Sequence, residues 1–183
     1  YLVVRPIVAG VIACMLILGT TFGLNAASHT SLPGDPLYTV KTAREKLTLI
    51  LPQADVKKVR THIHLAGVRG HEMRELSKRR KFVKAGRMGK RIRHHLKQSS
   101  DVAGVNQPTS IIEMPVRSRV LTSDVQIEEL KRLLKRDQVS LVSTLNELIS
   151  IMSPSEQRRL ESLMSGSVRD YQMLIASFDA VKT

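Results

Sequence analysis

Residues 7–24 form an uncharged, mostly apolar run of 18 residues near the start of the chain. A helix of that length reaches about 27 Å at 1.5 Å per residue, close to the roughly 30 Å hydrocarbon core of a bilayer. The sequence therefore predicts a transmembrane anchor over residues 1–24 and a polar linker over residues 25–35. Residues 25–34 span at most about 35 Å, so the next element is expected to lie near the membrane.

A cleaved signal peptide is the alternative to a retained anchor. Arg5 supplies a short basic flank, and small residues follow the run at positions 25–28. The apolar run is longer than a usual signal-peptide core, which favours retention. Small residues within the run would let the anchor pack closely against other spans. They are Gly10, Ala13, Gly19 and Gly23.

The composition of the chain favours an all-α fold. Aromatic residues make up 3% of the chain and Trp is absent, so a core must be built from Leu, Ile, Val and Met. Such a core suits helix-on-helix packing. We expect one N-terminal transmembrane helix, a helical hairpin and a C-terminal bundle of about three helices. Cys14 is the only cysteine, which excludes an intramolecular disulfide and a cysteine metal cluster.

Residues 36–97 are predicted to form an amphipathic hairpin with a basic arm. The first helix begins at Asp35-Pro36, with Asp35 as N-cap, and ends at Pro52. Its apolar stripe is Leu37, Val40, Ala43, Leu47 and Ile50. The second helix begins near Asp55, and Gly67 and Gly70 allow close approach of a partner helix. Its seam is Val56, Val59, Ile63, Ala66, Gly70, Met73 and Leu76.

Residues 98–121 are predicted to be a linker, and residues 122–183 to be helical. Capping-box patterns begin at Ser123 and at Ser153, and a break is expected near Gly166. The apolar positions of these helices recur at helical spacing. They are Ile127, Leu130, Leu134, Leu141, Leu145, Leu148, Met152, Leu160, Leu163, Met164, Tyr171, Leu174, Ile175, Phe178 and Val181.

The positive charge is concentrated in one part of the chain. Residues 41–97 carry a net charge of +14, whereas the rest of the chain sums to −1, which gives +13 for the whole chain. Residues 78–97 contain ten Lys or Arg and no acid. These ten, the basic surface, are Lys78, Arg79, Arg80, Lys81, Lys84, Arg87, Lys90, Arg91, Arg93 and Lys97.

The basic surface is predicted to contact anionic lipid headgroups or the acidic face of a partner subunit. The alternative is a solvated arm or helix face. A nucleic-acid-binding loop is a remote alternative, because residues 86–92, with four residues of loop at 86–89, imitate the backbone-clamping loop of KH domains. Phe82 is the sole aromatic residue available there for base stacking, which disfavours nucleic acid as a partner.

Motifs for catalysis and cofactor binding are absent from the sequence. It contains no phosphate-binding loop, no nucleophile elbow and no zinc-protease histidine pair. No two of the six histidines are spaced along a helix so that both could bind one metal ion. We therefore expect surface histidines and no metal site. We therefore expect that the protein is not an enzyme and binds no cofactor.

Residues 31–41 resemble the start of a bacterial domain family of unknown function, whose signature is roughly "LPGDPLYPLKR". The positions that carry the resemblance are Pro33, Gly34, Asp35, Leu37, Tyr38 and Lys41, while Thr39 replaces a proline of the signature. Pro33-Gly34 also suits a type II turn. In that family the segment follows a transmembrane helix and faces the extracytoplasmic side, often in anti-sigma-like or uncharacterised membrane proteins. The resemblance therefore implies a single-pass protein of the cell membrane with its C-terminal domain outside the cytoplasm.

Two functions follow from these expectations. The first is a non-catalytic regulatory or scaffolding module that binds a protein or a membrane surface, in an anti-sigma-like context. The second is an accessory or structural subunit of a larger membrane complex, held by its anchor between other spans.

Overall fold

The structure, a computed structural model, describes residues 31–105, 121 and 123–181. These residues form five helices and no strand, which confirms the all-α fold class. The helices are α1 (Tyr38–Ile50), α2 (Asp55–Lys78), α3 (Phe82–Ala103), α4 (Asp124–Ile149) and α5 (Pro154–Val181). The predicted anchor, with Gly10, Ala13, Gly19 and Gly23, lies outside the described residues. Within the described part, each helix is too short or too polar to cross a bilayer.

The chain divides into two compact units, Tyr1–Ile50 and Leu51–Thr183. The second unit contains a bundle of four helices, in which α2 and α5 each pack against both α3 and α4. Short turns join α2 to α3 and α4 to α5, so each of these pairs is an antiparallel hairpin. The bundle is therefore two hairpins placed side by side.

Contacts between the two hairpins show that their facing helices are parallel. Early in both helices, Arg60 of α2 pairs with Glu129 of α4, with 2.6 Å between Nη2 and Oε2. Later in both, the α2 position Gly70 lies beside Leu141 of α4. The same holds for α3 and α5: Gly86 lies beside Leu163, and seven residues further along each helix Arg93 pairs with Asp170 at 3.0 Å.

The seam predicted for α2 lies in the core of the bundle. Its buried members are Val59, Ile63, Ala66, Gly70, Met73 and Leu76, while Val56 is half-buried and packs against them. The predicted C-terminal apolar positions join the same core: of those whose side chains the structure describes, all except Leu145 and Leu163 are buried, and these two pack against the core. The helical periodicity of both regions is thus confirmed.

The apolar stripe continues beyond Ser77, contrary to the sequence reading of residues 78–97 as a basic arm. The buried face of α3 is Phe82, Ala85, Met88, Ile92, His95, Leu96, Ser99, Ser100 and Ala103. The partner of α2 in its hairpin is therefore α3, and residues 98–103 belong to a helix, not to the predicted linker. This stripe was missed because it contains small and polar residues between long cationic ones.

Both helices of the first hairpin end in the same hydrogen-bond pattern. At the end of α3, Gly104 adopts φ 72° while Val105 N–H donates to the Ser100 carbonyl at 3.2 Å. At the end of α2, Arg80 takes the equivalent position with φ 56°, and Lys81 N–H donates to the Leu76 carbonyl at 2.8 Å. This is the Schellman motif, with arginine in place of the usual glycine.

The C-terminal hairpin contains two helices, so the prediction of about three was wrong. Helix α5 continues through Gly166 from Pro154. Half of the predicted capping box before α5 is present: Ser153 N–H donates to Glu156 Oε2 at 3.1 Å. The Ser153 hydroxyl also donates to that oxygen, at 2.7 Å, rather than accepting from a backbone N–H of the first turn. Ser123 is the N-cap of α4 as expected, although its side chain makes no capping hydrogen bond.

In the first unit, Pro33-Gly34 forms the predicted turn before α1. Asp35 N–H donates to the Leu32 carbonyl at 2.9 Å, and Gly34 has φ 115°, which a type II turn requires at its third position. The Asp35 carboxylate accepts from Leu32 N–H at 2.8 Å, so it closes this turn rather than capping the helix. The helix itself begins at Tyr38, later than predicted.

The apolar stripe of α1 is exposed, so its predicted role as a hairpin seam was wrong. Val40, Leu47 and Ile50 are 47%, 61% and 77% exposed. The spacing of these residues is helical, as predicted, but the stripe is not buried in a helix interface.

We expect alanine substitutions at Ile63 and Leu47 to have unequal effects on stability. Ile63→Ala should lower the free energy of unfolding by about 2 to 4 kcal/mol, because Ile63 is fully buried in the bundle. Leu47→Ala should change it by less than about 0.5 kcal/mol, because Leu47 is exposed. Urea denaturation of the purified chain measures both values, and equal losses would restore the predicted α1–α2 seam.

Candidate functional site

The structure places the basic surface at the end of α2, in the following turn and along α3. Nine of its ten side chains are exposed, and Lys84 is half-buried. On α3 the cations lie opposite the buried face, because Arg87, Lys90, Arg91 and Lys97 fall between the buried positions of the helix. The predicted cations are thus brought together on one side of a packed helix.

Two cations of the basic surface are tied to α5. Arg80 Nη1 lies 3.4 Å from Glu156 Oε1, and Arg93 Nε lies 3.0 Å from Asp170 Oδ2. By contrast, Arg87, Lys90 and Lys97 form no ion pair with another described residue. These three residues, the outer stripe, cover about 15 Å along the helix at 1.5 Å per residue. The outer stripe is therefore available for a ligand outside the domain.

The segment that resembled a KH loop is part of α3. Residues 86–89 are helical, and Gly86 and Gly89 face Leu163 and Ser167 of α5. A backbone-clamping loop must be irregular to approach the phosphates of a nucleic acid, and a packed helix is not. The structural basis for the nucleic-acid alternative is therefore contradicted.

Two histidines that are distant in sequence meet between α2 and α3. The Nδ1 atoms of His62 and His95 are 3.3 Å apart, and the rings are 5.6 Å apart between centroids. Burial is the main cause that lowers the pKa of His95 from 6.5 to about 3, and the neighbouring His62 is the second. Burial, and next the neighbouring His94, also lowers the pKa of His62. Both rings are therefore neutral at pH 7, so one can donate an N–H to the other.

The prediction of surface histidines was thus wrong for His95, which is buried, and His62, which is half-buried. Spacing along one helix could not reveal this pair, since its members lie on different helices. The described residues contain no group of three or more His, Cys, Asp or Glu side chains that could hold a metal ion.

A buried ion pair lies on the same side of α2. Arg69 Nη1 is 2.6 Å from both carboxylate oxygens of Glu72, and both side chains are almost completely buried. Arg69 also lies close enough to His95 for its charge to lower the pKa of that histidine. Sequence reasoning missed this pair, because Arg and Glu three residues apart on a helix usually form a surface ion pair.

The residues that resembled a family signature form a local structure around the turn at residues 32–35. Lys41 Nζ donates to the Ser31 carbonyl at 3.3 Å and lies 5.9 Å from the centre of the Tyr38 ring. Lys41 is buried, and Leu37 and Tyr38 are half-buried. The turn and the first turn of α1 are therefore linked by the lysine side chain.

The described part of the chain is thus an all-helical domain with a four-helix bundle and a basic outer face. Residues 30–136 match the domain of unknown function DUF5667, and because this is more than half of the chain, the protein belongs to that family. The match includes α1, α2, α3 and the first half of α4. No curated protein and no solved structure gives a significant match.

Because of the His62–His95 pair, we expect the free energy of unfolding to decrease in acid. The unfolded chain takes up a proton at each histidine near pH 6.5, whereas the folded chain resists protonation of His95 until about pH 3. The pair's contribution is therefore complete above about pH 6.5 and falls as the pH decreases, by about 1.4 kcal/mol per pH unit for His95.

Urea denaturation between neutral and mildly acidic pH tests this expectation. His95→Gln and His62→Gln should each flatten the pH dependence of the free energy of unfolding. His71→Gln, at an exposed position of α2, is the control and should keep the wild-type slope. Parallel curves for all four proteins would show that the pair does not sense pH.

Proposed function

We propose that this protein is a non-catalytic module, anchored by a single membrane span, whose extracytoplasmic helical domain binds anionic lipid headgroups or the acidic face of a partner subunit. The observation that carries the proposal is the exposed outer stripe of α3. Its charges have no partner acid among the described residues, and an external anionic surface would offset their mutual repulsion. The anchor is proposed from the uncharged run at residues 7–24.

The regulatory or scaffolding role in an anti-sigma-like context rests on the resemblance of residues 31–41. The second candidate, an accessory subunit of a membrane complex, is supported by the small residues of the apolar run. Gly10, Ala13, Gly19 and Gly23 recur along it and would allow a neighbouring span to approach closely. In both cases the basic surface supplies the contact outside the bilayer.

Neutralising the outer stripe should weaken binding to anionic membranes. The full chain is placed in nanodiscs of zwitterionic lipid and sedimented with separate vesicles that contain an anionic phospholipid. The triple variant Arg87→Gln, Lys90→Gln and Lys97→Gln should lose up to about 3 kcal/mol of attraction, roughly a hundredfold in apparent affinity. Binding by the wild type should also fall as salt rises, because the charges are exposed.

A variant with the same change in net charge is the control. Lys57, Arg132 and Lys135 are exposed cations of α2 and α4, and their replacement by Gln leaves the outer stripe intact. This control should bind almost as the wild type does, and circular dichroism should show equal helix content in all three proteins. Equal losses in both triple variants, or binding that ignores salt, would mean that the outer stripe is only solvated surface.

The anchor is tested by washing membranes from expressing cells with alkaline carbonate. An 18-residue uncharged helix should hold the full chain in the membrane. Recovery of a soluble mature protein whose N-terminus lies near Ala27 or Ser28 would instead establish the cleaved signal peptide.

A further inference from the structure

Helix α1 presents an apolar stripe to solvent. Val40, Leu47 and Ile50 are exposed, whereas its half-buried positions are a mixture of polar and apolar residues: Tyr38, Thr42, Glu45 and Leu49. A helix on the surface of a soluble domain normally turns such a stripe toward the core. The exposed stripe is therefore an apolar surface that the described residues do not cover.

The stripe is narrow and continuous. At 3.6 residues per turn, Val40, Leu47 and Ile50 fall within a sector of roughly 80° around the helix. Arg44 and Lys46 lie just outside the two edges of that sector, and both are exposed. An apolar stripe bordered by cations on both sides matches the boundary between acyl chains and anionic headgroups.

The position of α1 in the chain points to the same surrounding. Residues 25–34 allow at most about 35 Å between the end of the apolar run and the start of the α1 region. The turn at residues 32–35 shortens that reach, because it folds the last part of the linker back on itself. A protein partner would need an apolar groove with acids on both rims, whereas the surface of an anionic membrane combines an apolar layer with negative charge everywhere along its plane, so the lipid interface is the better match.

We propose that α1 is an interfacial helix, which lies in the plane of the membrane with Val40, Leu47 and Ile50 in the headgroup and upper acyl region. The proposal rests on the proposed membrane anchor, but it is independent of the basic surface of α3. It assigns the first described helix to the membrane surface.

Single-tryptophan variants test the proposal directly, since the chain has no tryptophan. Ile50→Trp places the probe in the stripe, and Val125→Trp places it at the start of α4. Both positions are 77% exposed, so they are matched in accessibility. The full chain is reconstituted in vesicles that contain an anionic phospholipid, at high salt, so that the charges of α3 contribute little.

The Ile50→Trp emission should shift to the blue and be quenched by lipids that carry a quencher high on the acyl chain, while iodide in the buffer should have little effect. The Val125→Trp emission should show the opposite pattern. A tryptophan at position 50 that iodide quenches and lipid does not would overturn the proposal. Protection from both quenchers would also overturn it, because a protein surface, such as a second copy, would then cover the stripe.

The result separates failure of this proposal from failure of the proposed function. Carbonate extraction reports on the anchor, and the outer-stripe variant reports on the charges of α3. An anchored protein with an iodide-accessible residue 50 would retain the proposed function and lose the interfacial helix. Lipid quenching that persists in the outer-stripe variant is expected, because the two contacts use different residues.

Discussion

The fold depends on the tight turn that brings α3 back against α2. The turn closes through the hydrogen bond from Lys81 N–H to the Leu76 carbonyl and holds Arg80 in a left-handed conformation. That conformation costs a non-glycine residue about 1 to 2 kcal/mol. Burial of apolar residues on both sides of the turn, including Leu76 and Phe82, offsets this cost. Because the turn fixes which side of α3 faces α2, it also fixes which side presents its cations to the outside.

Polar groups inside the first hairpin make its packing specific. The Arg69–Glu72 pair and His95 are buried among apolar residues, and the half-buried His62 contacts His95. Removing one member of the buried ion pair within α2 would leave an uncompensated charge and cost about 3 to 5 kcal/mol. The His62–His95 contact joins α2 to α3, so it disfavours a shift in register between these two helices. The same burial keeps His95 neutral and makes the hairpin sensitive to acid.

The two units of the chain offer two different kinds of surface. The first presents an apolar stripe on α1, and the second presents the cations of α3. Attraction through exposed charges falls with salt, whereas burial of apolar side chains persists, so ionic strength separates the two contributions. A chain that combines these two surfaces with an uncharged apolar run is suited to binding at a membrane, which is the role proposed for this protein.

The sequence by itself determined the helical class, the seams of α2, α4 and α5, the turn at Pro33-Gly34 and the concentration of cations, because each depends on local periodicity or local conformational preference. Tertiary structure alone decided which helices pair. An amphipathic stripe shows that its side chains favour an apolar surrounding, but it does not identify the element that supplies that surrounding. The stripe of α1 was therefore predicted to be a buried seam, and α3 was predicted to be a basic arm and not a helix of the bundle. The His62–His95 contact was likewise decided in three dimensions, since it joins helices whose relative rotation depends on the packing of the whole bundle.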